Sequence, residues 1–173
     1  MFKVWARIIQ KGALLTGRPD EIVRQNQLAA MHEATQFGTR RVKERTPQGV
    51  FGAQGGLLAS IEPEVRETAR GGVGLIATSH RYGLVVEVGR KPGGKMPPGG
   101  KGAKRRPIRA WIRVKMGVSL KEANRIEFLV RRKIAKEGTE GAFMFRDTLD
   151  EDWPDFQNIF ERYGVKIGRA LER

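Results

Sequence analysis

The amino-acid sequence predicts an α+β fold: a mostly antiparallel sheet packed by a long N-terminal helix and by C-terminal helices, with a long flexible basic loop. Three observations predict it. Strand-like stretches are grouped between helical ones instead of alternating with them. The helical segments carry small and apolar residues three, four and seven apart. Residues 89–106 hold nine Gly or Pro among 18 and one large apolar side chain, Met96, so they cannot build a core. At 173 residues the chain fits one domain, 1–173, with 89–106 as a Gly/Pro/Lys/Arg-rich flexible arm.

The elements follow in order. Residues 2–9 alternate loosely and read as a strand ended by Lys11-Gly12. Gly17-Arg-Pro-Asp introduces a helix over about 20–46, whose inward stripe is Val23, Ala30, Met31, Ala34, Phe37, Gly38 and Val42. At ~1.5 Å per residue it is about 40 Å long, enough to cross a whole sheet. Thr46-Pro47 stops it, because the residue before a proline avoids the helical region. Gln48–Gly56, with four glycines in nine residues, is a loop. Leu57–Ile61 begins an extended stretch through Thr68, and Val73–Thr78 and Tyr82–Val88 follow as two further strands across a short Ser79-His80-Arg81 turn.

Past the basic arm, Pro107 suits the first residue of a short helix carrying Ile108, Trp111, Ile112 and Met116. Trp111 is expected in the core, so that its truncation to alanine would cost roughly 3–5 kcal/mol. Ser119-Leu-Lys-Glu122 is a capping box for a helix over 120–137 with an apolar stripe of Leu120, Ala123, Ile126, Val130 and Ile134, closed by Gly138. Ala142–Phe145 is a short apolar stretch read as a strand. The last helix, about 153–171, spaces Trp153, Phe156, Phe160, Tyr163, Ile167 and Leu171 three or four apart.

Composition excludes several classes. Without cysteine there is no disulfide scaffold, thiolate zinc site or cysteine nucleophile. No apolar run approaches the roughly 20 residues that span a bilayer, so no membrane partner is expected, and the charged N-terminal residues do not read as a secretory signal. Gly89-Arg-Lys-Pro-Gly-Gly94-Lys95 matches a phosphate-loop pattern, but Met96-Pro97-Pro98 replaces the hydroxyl ligand and forbids the helix that the loop requires. Two histidines, His32 and His80, cannot form a multi-histidine metal site, and no nucleophile elbow surrounds any of the three serines. The carboxylates Asp147, Asp150, Glu151, Asp152 and Asp155 sit where a helix dipole favours them. The reading is a non-enzyme without cofactor or metal.

The net charge of +14 is concentrated. Residues 90–109 hold eight basic groups, Arg90, Lys91, Lys95, Lys101, Lys104, Arg105, Arg106 and Arg109, and no acidic one. These are the candidate contacts to a polyanion or to a neighbouring subunit. No aromatic residue lies within 89–106, so contact with nucleic acid would be to phosphates without base stacking.

The ordered landmarks Thr46-Pro47, Gly55-Gly56, Leu57–Ile61, Tyr82–Gly89, Pro92–Pro98, Pro107–Trp111, Lys136–Gly138 and Phe143–Phe145 resemble those of the neck and tail-completion proteins of long-tailed bacteriophages, over roughly residues 20–150. The N-terminal strand, the residues Gln48–Gln54 and the Lys-rich arm after Met96 exceed the family pattern. The resemblance implies a structural virion protein at the head–tail junction, assembled in the host cytoplasm. It implies a homo-oligomeric ring, a hexamer favoured, that contacts adaptor or head-closure proteins and the tail tube protein, with phage DNA in its lumen. A neck ring and a ring capping the tail tube both fit. The alternative from composition is a stand-alone, non-sequence-specific nucleic-acid-binding protein. As a mobile loop, Lys95–Arg106 should be removable without unfolding the domain.

Overall fold

The computed structural model describes residues 19–48, 56–68, 71–80, 82–99 and 106–172. The expected strand 2–9 and nearly all of the loop 48–56 lie outside them. The described chain is α+β: helix α1 (Pro19–Arg45), strands β1 (Ile61–Thr68) and β2 (Gly71–Thr78) in a two-stranded antiparallel sheet, then α2 (Gly83–Val88), α3 (Pro107–Met116), α4 (Leu120–Glu137), α5 (Met144–Glu151) and α6 (Trp153–Glu172). It forms two compact units, one drawing on the chain up to Gly38, Pro63–Ile76 and the chain from Glu151, the other on Thr39–Glu62 and Ala77–Asp150.

The first unit packs α1 against β2 and α6. β2 alternates, and the face toward α1 carries Gly72, Gly74 and Ile76, while Val73 and Leu75 on the other face are exposed. The missing side chains matter: a Cβ at Gly72 would stand 3.1 Å from Leu28 and 3.3 Å from Met31, and one at Gly74 would strike Thr35. Gly38 likewise admits Ile76 and the Phe156 ring, whose nearest atoms would lie 2.5 and 2.8 Å from an added Cβ. The core is Ala34, Phe156 and Ile159 with Phe37 and Tyr163 packed on it. Phe37 meets Phe156 edge-to-face at 5.2 Å between centroids, the arrangement that ring quadrupoles favour.

In the second unit the deepest side chains are Val42, Ile61, Ile112, Met144, Thr148 and Glu127. Thr46 ends α1 with its hydroxyl donating to the Val42 carbonyl at 2.7 Å, and Met144 Sδ lies 3.1 Å from the Thr46 Oγ1. Pro107 starts α3, and α3 packs on α4. At the start of α4 both halves of the capping box form: the Glu122 N–H donates to the Ser119 hydroxyl, and the Ser119 N–H and O–H donate to the Glu122 carboxylate. That hydroxyl and N–H hold the Glu122 carboxyl below its usual range. Gly138, at φ 80°, closes the helix by donating its N–H to the Ile134 carbonyl.

Four expectations are corrected. Tyr82–Val88 is the helix α2, not a strand. Leu84, Val85 and Val88 are exposed there, so the β-branched composition reflects a helix of under two turns with an uncovered apolar side. Ala142–Phe145 is not a strand either: the Ala142 and Phe143 N–H groups donate to the Val86 and Glu87 carbonyls, and α5 starts at Met144. The extended stretch from Leu57 starts only at Ile61, after a 3-10 turn over Leu58–Ser60. Trp111 is 44% exposed, and the buried position beside it is Ile112.

Candidate functional site

The charge is more unevenly distributed than residues 90–109 alone indicate. Residues 90–137 carry 16 basic and 3 acidic groups, and the rest of the chain 17 and 16. Nearly the whole net charge therefore lies on α3, α4 and the segment preceding them.

The structure divides the expected basic contacts into several kinds. The arm expected to be flexible is anchored over its described part. Arg90 exchanges both backbone hydrogen bonds with Thr139, at 2.8 and 3.0 Å, and its guanidinium donates to the Lys95 carbonyl. The Gly93 N–H donates to the Ala135 carbonyl, and Arg131 Nε donates to the Pro97 carbonyl at 2.7 Å. Pro97 is buried. Lys91 and Lys95 are exposed, and Arg109 reaches the Asn124 side chain at 3.5 Å. Arg106 is withdrawn from any outside partner: its guanidinium pairs with Glu127, the two side chains being 12% and 1% exposed. The remaining three, Lys101, Lys104 and Arg105, lie outside the described residues.

Glu127 is the residue that sequence reasoning missed. Its signal was present, because it falls four residues after Ala123 and three before Val130, inside the apolar stripe of α4. A carboxylate on that stripe must be buried and must therefore find a cation. Gly99 passes so close that an added Cβ would lie 2.7 Å from Glu127 Oε1 and 3.0 Å from Arg131 Nε. Glu127 and Arg131 together hold both ends of the segment from Pro97 to Arg106. Removing Lys95–Arg106 would take a paired cation from a buried carboxylate, so this deletion is expected to destabilise the fold.

The opposite face of α4 is different. Lys121, Arg125, Arg132 and Lys136 are exposed, as are Phe128 at 53% and Leu129 at 61%. None of these four cations forms an ion pair among the described residues, whereas Lys133 pairs with Glu137.

Other candidate chemistry resolves into local structure. Asp152 is buried, and its carbonyl accepts the Asp155 and Phe156 N–H groups at the start of α6. Among the described residues no three His, Cys, Asp or Glu side chains gather as metal ligands. His32 is exposed on α1, and His80 lies against the Tyr82 ring at 4.4 Å. No helix among the described residues is long and apolar enough to cross a membrane.

The sequence landmarks touch one another in the second unit. The Leu57 N–H donates to the Tyr82 hydroxyl at 3.0 Å, and Ser60 shares a hydrogen bond with Thr78. The Glu87 carboxylate accepts the Phe145 and Arg146 N–H groups, both at 3.0 Å, and so caps α5. Gly89, Gly138 and Gly141 let the chain before the basic segment lie directly on the backbone after α4: a Cβ on any of them would meet the facing backbone, at Thr139, Arg90 and Glu87 respectively. Comparison of the chain with protein-family models, with curated proteins and with solved structures finds no match.

Proposed function

We propose that this protein is a structural, non-enzymatic subunit of a ring at the head–tail junction of a long-tailed bacteriophage, acting as a neck or tail-completion component. One observation carries the reading. The eight ordered landmarks that resemble the neck and tail-completion family include residues that meet in space: Tyr82 holds Leu57, Glu87 caps the helix following Phe143, and Gly138 sits against Pro92. A motif set selected for one compact scaffold explains that coincidence better than chance spacing does.

The surface supports the same reading. A ring subunit needs faces for its neighbours, and the exposed cations and apolar side chains of α4 offer one. A charge of +14 would repel like copies unless basic faces met acidic ones. In this role the ring surrounds phage DNA, joins adaptor or head-closure proteins to the tail tube, and resides in the virion. Electron microscopy of particles made without the protein tests it. Filled heads beside separate tails are expected, and normal joined particles would refute the assignment.

The concentration of charge in residues 90–137 favours a second reading, a stand-alone binder of nucleic acid through its phosphates. Such a protein would bind duplex DNA tightly as a monomer or dimer at moderate salt. A ring subunit would show only weak, salt-sensitive affinity.

A further inference from the structure

We infer that the outward face of α4 is a protein-docking surface, and that its occupant is the carboxylate-rich stretch 147–155 of a second copy of this chain. This inference rests on the ring reading and names a contact that would build the ring.

The geometry comes first. Ala123 and Glu127 are buried on one side of α4. Lys121, Arg125, Arg132 and Lys136 are spaced by four, seven and four residues, so at 3.6 residues per turn they line up along the opposite side. That ridge is about 22 Å long at ~1.5 Å per residue. Phe128 and Leu129 flank its midpoint, one on each shoulder, and both are more than half exposed.

The ligand class follows from using all six side chains. A duplex would engage the four cations and leave the two apolar side chains idle in water. An acidic protein surface with apolar side chains of its own would use both sets, with the apolar pair at the centre and charges around it, the usual anatomy of a specific interface. The chain carries such a counterpart. Residues 137–161 contain eight carboxylates against one basic residue, Arg146. Within that run Leu149 and Trp153 are exposed at 54% and 52%, and Asp150 and Asp155 are exposed as well. A contact between two different surfaces of identical copies is head-to-tail, and such contacts close into rings when the rotation permits. It also sets cations against carboxylates, which the charge of each copy demands.

The test is charge reversal on the full chain, read by sedimentation and native mass measurement at two salt concentrations. Arg125→Glu with Arg132→Glu, and separately Asp150→Lys with Asp155→Lys, should each raise the concentration needed for assembly on the order of a hundredfold, since close interfacial charge pairs contribute about tenfold or more apiece. All four substitutions together, or an equimolar mixture of the two double variants, should restore assembly, because glutamate then faces lysine. Circular dichroism of each variant shows whether it remains folded, and the restored quadruple variant makes the result independent of that check.

Assembly undisturbed by either double variant would overturn this contact and leave a ring built through other surfaces. Loss in both without recovery in the quadruple variant would overturn the assigned occupant. A reversal on α4 that abolished salt-sensitive binding of a short duplex, with assembly intact, would give the face to DNA instead. A wild-type chain that stayed monomeric alone and in the virion would end both this inference and the ring reading.

Discussion

The two units hold their charged groups in opposite ways. In the first, the core is apolar, and ion pairs such as Arg24 with Glu67 and Arg162 with Glu33 join side chains that are each 40% exposed or more. Such pairs contribute about 0–1 kcal/mol, because water screens them and two long side chains must be immobilised. In the second, Arg106 and Glu127 are paired in the interior beside Gly99 and Arg131. A buried pair adds little net stability relative to well-packed apolar side chains, yet losing one partner is severe. The first unit thus leaves these charges in water. The second uses charge to fix where one segment lies: Glu127 specifies Arg106, and with it the end of a glycine-rich stretch that has almost no apolar side chains of its own to set its path.

The sharpest way to break this contrast is Glu127→Ala, which should destabilise the protein by about 3–5 kcal/mol in chemical denaturation, since it leaves the Arg106 charge buried and unanswered. Replacing both partners, Arg106→Leu with Glu127→Leu, should recover most of that loss. A cost under about 1 kcal/mol for Glu127→Ala would mean that water reaches the pair. In the first unit the matching test is apolar. Phe156→Ala should cost about 3 kcal/mol, removing the ring that fills the space left by Gly38. Arg162→Ala there should stay within about 1 kcal/mol. Between these lies Glu87→Ala, expected to cost about 2 kcal/mol by releasing the two backbone N–H groups that start α5. Thermal melts of the variants side by side check the order.

Much of the fold was legible, for reasons that differ by element. Helix α1 was read to within a residue or so because Gly17-Arg-Pro-Asp and Thr46-Pro47 are steric punctuation, and α4 because a capping box and a terminal glycine are local hydrogen-bond chemistry. Residues 82–88 were misread for the converse reason. Leu-Val-Val-Glu-Val has strand propensity, and only the docking of Glu87 onto the start of α5 and of Val86 against Ala142 selects a turn of helix. Propensity yields to tertiary context in so short a run. The basic segment was legible as non-core but not as anchored, because its ties are backbone bonds to Thr139 and Ala135, the hydrogen bond from Arg131 to the Pro97 carbonyl and one buried ion pair, none of which has a periodic signature. Of the eight candidate cations, Arg106 proved structural, while the row of exposed cations on α4 was hidden by the ordinary look of a charged helix.

The smallest expected effect concerns Trp111, and it separates burial from contact. An aromatic in an amphipathic helix next to Ile112 reads as core, but 3.6 residues per turn turn neighbours about 100° apart, and in α3 only Ile112 reaches full burial. Trp111 at 44% exposure, with Val114 at 66%, leaves a large apolar area in water. Trp111→Ala should therefore change stability by about 1 kcal/mol or less, with an unchanged dependence on denaturant. If this face also serves a neighbour, the same substitution should weaken assembly more than it weakens folding, because the centre of an interface concentrates its energy in such side chains. A folding loss near 3 kcal/mol would return Trp111 to the interior.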